Sequence, residues 1–270
     1  MKNCFRTSVL FLAIALVAST ALAQEVSFKD PSGDDKGPGT YVYPTDKVYT
    51  AGSFDLTEFK MKVSGDKADF SVSVGTKLED PWGMGGGFAT QMVFIFIDTD
   101  NKEGSGFTKA LPGLNVEFAA ADAWDKCVIL SPQPQNRVAS EAETKAGWAK
   151  GAVVVPVRTK GMGRTISGSV ALKDLGAGDP AKWGYQVVMQ SNEGFPDKAD
   201  LLTRKVNEFE GQHRFGGGND GDCDPHAIDV LAGKGTGDKS EIEDQKKMLA
   251  YECEADGASK KMATLSMVRK

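Results

Sequence analysis

The sequence predicts a mainly β fold, a β-sandwich of jelly-roll type with a short C-terminal helix. Three observations carry this. Residues 68–74, ADFSVSV, alternate Phe70, Val72 and Val74 against Asp69, Ser71 and Ser73, the period of a half-buried strand. Residues 91–97, QMVFIFI, are almost continuously apolar and read as a central strand. Glycine and proline punctuate nearly every junction, which breaks the chain into many short strands.

Taken in order, residues 1–23 read as an export signal, with Lys2 and Arg6, an apolar run over 9–17 and a small-x-small site at Ala21-Leu22-Ala23. Residues 24–270 then form one domain. Residues 54–63 pair with 68–74 across the turn Ser64-Gly65-Asp66-Lys67. Further strands are expected over 116–118, 126–130, 152–157, 165–171 and 184–190, with a short turn over 172–175. Residues 240–252 read as a helix, with Ser240 and Glu243 at capping-box spacing and Ile242, Met248 and Leu249 as its buried stripe. A strand over 262–268 turns Ala263, Leu265 and Met267 to one side. The stretch GKGTGD over 233–238 is a connector.

Loss of Lys2 and Arg6 takes the formal charge from −5 to −7, and the chain has no basic block, so a nucleic-acid partner is excluded. No later stretch reaches the roughly 20 apolar residues of a membrane helix. Three cysteines follow the signal. Cys127 sits in the apolar run CVIL and reads as a buried thiol. Cys223 and Cys253 lie in polar segments and are expected to pair, the alternative being three free thiols.

Seven ordered stretches resemble the C-terminal-domain family of glucodextranase, which is related to DOMON and family-9 carbohydrate-binding modules. They are DPSGDDKGPGTYVYPTD from Asp30, Phe54-Asp55-Leu56, DPWGMGGGF from Asp80 running on to IDTD, ALPGLNVEF with AWDKCVIL, KWGYQVVMQSNEGF from Lys182, RFGGGNDGDCDPHAIDVL from Arg214, and QKKMLAYE with ATLSMV. The resemblance covers nearly all of residues 26–268 and implies a DOMON-like sandwich that associates with α-glucan-degrading enzymes. In those enzymes the module accompanies a catalytic domain, and this chain carries none.

The function expected is therefore non-catalytic binding of α-glucan or another polysaccharide in the periplasm or outside the cell, beside a glucan-degrading enzyme. The alternative is an envelope or surface protein-interaction module. Sugars offer apolar C–H faces to exposed aromatic rings, with polar groups alongside. Trp82 is the first candidate, with Asp80 beside it in a glycine-rich loop, and Trp124 the second. Calcium is the expected cofactor. Hard cations want six to eight oxygens, which glycine-bent acidic loops supply. Three loops qualify: Asp30, Asp34 and Asp35; Asp98 and Asp100; Asp220 and Asp222. Ordinary Asx-turns are the alternative for each. Haem is disfavoured, because only His213 and His226 are available and no Cys-x-x-Cys-His motif occurs. No catalytic residue is assigned: no Gly-x-Ser-x-Gly motif is present, and no two carboxylates stand at a telling spacing.

Overall fold

The computed structural model describes residues 24–192 and 200–270, so the export signal expected over 1–23 lies outside the described residues. The fold is mainly β and sandwich-like. One sheet runs in the order β1 (Glu25–Lys29), β2 (Leu56–Ser64), β3 (Lys67–Val74), β9 (Thr165–Ala171) and β8 (Thr159–Met162). The other runs β11 (Asp229–Val230), β10 (Gly184–Ser191), β4 (Gln91–Asp98), β6 (Lys126–Leu130) and β7 (Val153–Val154). Neighbours are antiparallel throughout, except β6 with β7. Two small pairs complete the β structure: β5 (Val116–Phe118) with β14 (Ala263–Leu265), and β12 (Glu252–Cys253) with β13 (Ser259–Lys261).

The two sheets share a core in which Phe59, Phe70 and Val72 of the first meet Ile95, Val128 and Val187 of the second. The far face of the second sheet is covered as well. There Phe94, Phe96, Ile129 and Val188 pack with Val138, Leu249 and Leu265. All eight residues of β4 are buried because successive side chains enter different cores, which is why QMVFIFI does not alternate. β3 alternates because only one of its faces is covered.

Helix α1 (Gln135–Lys145) was not expected, since its sequence QNRVASEAETK is mostly polar. Only Val138 and Ala142 are buried on it, one turn apart, so it needs a narrow stripe and no more. Helix α2 (Glu241–Met248) lies where the sequence places a helix, but its expected cap and stripe differ. The Ser240 hydroxyl bonds Asp238 Oδ1 (2.6 Å) and Glu243 pairs with Lys246 (2.6 Å), so no capping box forms. Its buried residues are Glu241 and Gln245, followed by Leu249. This face is polar because it covers backbone groups of neighbouring loops. Among the described residues, no helix is long and apolar enough to cross a membrane.

Candidate cation centre and aromatic loop

The first acidic loop leaves β1 at Asp30. Gly37 takes a left-handed φ of 56°, and a Cβ there would lie 2.3 Å from the Tyr41 ring, so the turn admits only glycine. The loop brings Asp30 and Asp34 to Asp229 at the start of β11. One carboxylate oxygen from each lies within 4.8 Å of those of the other two. The residues are 5%, 4% and 0% exposed, respectively. Asp30 Oδ1 accepts the Ala232 N–H (3.2 Å), and Asp229 Oδ2 accepts that of Leu56 (2.7 Å). Asp30 Oδ2, both Asp34 oxygens and Asp229 Oδ1 are buried without a hydrogen-bond partner. Asp55, also buried, adds a nearby negative charge while accepting the Gly33 N–H (2.9 Å).

Among the described residues, no lysine, arginine or histidine pairs with these three carboxylates. Burial, then the neighbouring Asp34, pushes Asp30 far above the usual carboxylate range. Burial does the same to Asp229, with Asp30 and Asp34 adding to it. Asp34 is pushed up to about 7, by burial and then by Asp55 and Asp35. Asp35 stands apart and accepts the Tyr43 hydroxyl instead. Sequence reasoning found Asp30 and Asp34 but missed Asp229. A lone carboxylate inside the apolar run AIDVL was the available signal.

Helix α2 secures this centre. Gln245 Nε2 donates to the Asp34 carbonyl (2.5 Å), while its Oε1 accepts the Val230 N–H (2.9 Å), next to Asp229. Glu241 accepts N–H groups of Lys234, Thr236 and Gly237 at 2.8–3.1 Å, which fixes the 233–238 connector.

The second acidic loop brings Asp98, Asp100 and Asp125 together, and its charge is already answered. Arg269 Nη2 lies 2.6 Å from Asp98 Oδ2, and its Nη1 pairs with Asp122. Asp98 Oδ1 accepts the Asn101 N–H (2.8 Å), and Asp100 accepts that of Lys102 (3.0 Å), which is Asx-turn bonding beside a carboxylate group that also has metal-ligand spacing. The third expected set is not brought into such a group. No group of clustered metal-ligating residues includes Asp220 or Asp222 among the described residues. Asp220 accepts the Glu208 N–H (3.0 Å) and Asn207 Nδ2 (2.9 Å), while Asp222 pairs with Lys205 and lies 3.3 Å from His226 Nε2. The same loop holds the disulfide between Cys223 and Cys253, and Cys127 is a buried free thiol.

Trp82 stands half-buried over a cluster of Tyr49, Phe54 and Phe215. Its ring meets Tyr49 edge-on at 6.3 Å and His213 at 6.1 Å. Asp80 shapes the loop beneath it, accepting the Met84 and Gly85 N–H groups at 2.7 and 2.8 Å. At Gly87 a Cβ would lie 2.3 Å from the Gly161 carbonyl, so glycine lets the loop seat against β8.

Trp124 is corrected as a sugar candidate, because it is fully buried. Its indole N–H donates to the Lys109 carbonyl (3.0 Å), and Phe96 and Phe107 pack its ring at 5.2 and 4.9 Å. The apolar ring completes the second core and has no face left for a ligand. Trp183 is also buried, whereas Trp148 is 39% exposed with Lys109 Nζ 5.4 Å from its ring centre.

Residues 26–268 match the family described as the C-terminal binding-module, SLH-like, of glucodextranase. The chain belongs to that family. The family is one of binding modules and not of catalytic domains. No curated protein matches the chain.

Proposed function

We propose that this chain is an exported, non-catalytic carbohydrate-binding module for α-glucan, periplasmic or secreted, with calcium as a structural brace. The observation that carries the reading is membership of a glucodextranase binding-module family over residues 26–268. Trp82 supplies the stacking face, and the cluster of Tyr49 and His213 holds its ring in place before a sugar arrives. A pre-set ring lowers the ordering cost of binding, but a shallow site still yields only micromolar to millimolar affinity, on the order of −8 to −4 kcal/mol. A glucan-degrading enzyme is the natural companion, since this chain holds glucan without cutting it.

Affinity electrophoresis in gels containing glycogen, dextran or pullulan tests the reading. The wild type is retarded, and Trp82→Ala abolishes the retardation. An unretarded wild type in all three gels removes the α-glucan reading. If Trp82→Ala is still retarded, the sugar site lies elsewhere, and Trp148 is the next ring to remove because it is exposed.

A second reading, a surface protein-interaction module without a sugar ligand, draws on a different observation. Val157 and Met162 are 89% and 83% exposed, one just before β8 and the other at its end. Large exposed apolar side chains along one sheet edge favour a protein partner.

A further inference from the structure

We propose that Asp30, Asp34 and Asp229 together bind one calcium ion at the end of the sandwich, with Gln245 as the residue that positions them. This gives the structural calcium of the proposed function a definite site, and that site rests on buried oxygens and not on the sugar reading.

Three carboxylates sit together out of water, and four of their oxygens have no partner. An unpaired buried carboxylate costs several kcal/mol even after relaxation. The second acidic loop shows how this chain answers such a cost, by placing Arg269 on Asp98. Among the described residues no side chain does that here, so in this proposal a bound cation supplies the missing positive charge. Four free oxygens from three residues form a hard donor set, with Asp34 able to bind through both of its own.

The donor set selects the ion. Calcium takes six to eight oxygens at about 2.3–2.6 Å in flexible geometry and accepts several carboxylates at once. Magnesium, at about 2.0–2.1 Å, demands octahedral geometry, keeps several waters and is held by one or two carboxylates. Three carboxylates with four unpartnered oxygens match calcium.

The site joins distant parts of the chain. Asp30 and Asp34 come from the first loop, and Asp229 from β11. Gln245 ties both together, because one end of its amide holds the Asp34 carbonyl and the other holds the backbone beside Asp229. It is 1% exposed and carries no charge, so it sets geometry without competing for the ion.

The test uses the mature chain, stripped with chelator and titrated with calcium chloride or magnesium chloride in a calorimeter. One calcium binds, more tightly than magnesium. Asp229→Asn weakens calcium at least tenfold. Asp35→Asn, which alters the neighbouring carboxylate bonded to Tyr43, changes calcium affinity less than twofold. Gln245→Leu weakens calcium while leaving the stoichiometry at one.

Melting curves supply a second readout that a purely structural aspartate does not give. In chelator, Asp229→Asn melts above the wild type, because a buried carboxyl that must stay unpaired or take up a proton on folding is gone. In saturating calcium the order reverses, because a ligand has been lost. No calcium uptake, a preference for magnesium, or Asp229→Asn less stable in both conditions each overturns the site. Neither measurement contains a sugar, so a chain that binds calcium and runs unretarded in glucan gels keeps this site and loses the sugar reading.

Discussion

Removing the disulfide between Cys223 and Cys253 is expected to destabilise the chain by about 3.5 kcal/mol. The two cysteines are 30 residues apart in sequence. The crosslink removes loop-closure entropy from the unfolded chain, and a loop of that length is worth roughly 12 cal/mol/K, or about 3.5 kcal/mol at 25 °C. The closed loop contains β11 and α2, so the bond also limits how far Asp229 and Gln245 stray from each other in the unfolded state. The perturbation is the double variant Cys223→Ala and Cys253→Ala, unfolded in urea at fixed calcium, because a ligand of the folded state would otherwise shift the apparent stability. The midpoint falls and the slope rises, since the unlinked chain exposes more surface when unfolded. In a thermal scan the loss appears as roughly 7–14 °C, at about 2–4 °C per kcal/mol for a chain of this size. Thiol counting on the unfolded, non-reduced mature chain, residues 24–270 and so without Cys4, should give one reactive thiol, from Cys127. A loss below about 1 kcal/mol with an unchanged slope would refute the entropic argument, and three reactive thiols would remove the crosslink altogether.

Two further outcomes follow from the same geometry. Arg269→Ala leaves Asp98, only 3% exposed, without its counter-charge. Arg269 is itself 30% exposed, so the loss in urea is about 1–3 kcal/mol, below the 3–5 of a fully buried pair, and no loss would show that water replaces the guanidinium freely. His226 gives a pH dependence. Burial lowers its pKa, but hydrogen bonds and charge from Asp222 and Asp224 outweigh that and raise it above the ordinary histidine value. A raised folded pKa stabilises fully below the unfolded value of about 6.5 and is lost as pH climbs through the folded one. The urea stability difference between wild type and His226→Gln should therefore shrink from pH 6 to pH 9, and a constant difference would contradict the assignment.

The strands were legible in sequence because sheet burial is periodic. Residues 68–74 alternate and form β3 on a sheet with one covered face, while 91–97 do not alternate and form β4 between two cores. The family was legible too, from stretches spread over nearly the whole chain. Two of the three carboxylates of the candidate cation centre could be read, since Asp30 and Asp34 share one loop. Asp229 could not be tied to them, because nothing in local spacing states that β11 starts beside the loop after β1. Trp124 and Trp82 look alike in sequence, and only packing buries one against Phe96 and Phe107 and leaves the other half-open. Three acidic loops are calcium candidates in sequence, the first loop foremost. Tertiary structure distinguishes them by placing Arg269 on one, Lys205 and His226 on another and, among the described residues, no positive charge on the third. Periodicity is a property of neighbouring residues and survives in one dimension. Charge balance depends on which distant side chain arrives, so it is decided only once the chain has folded.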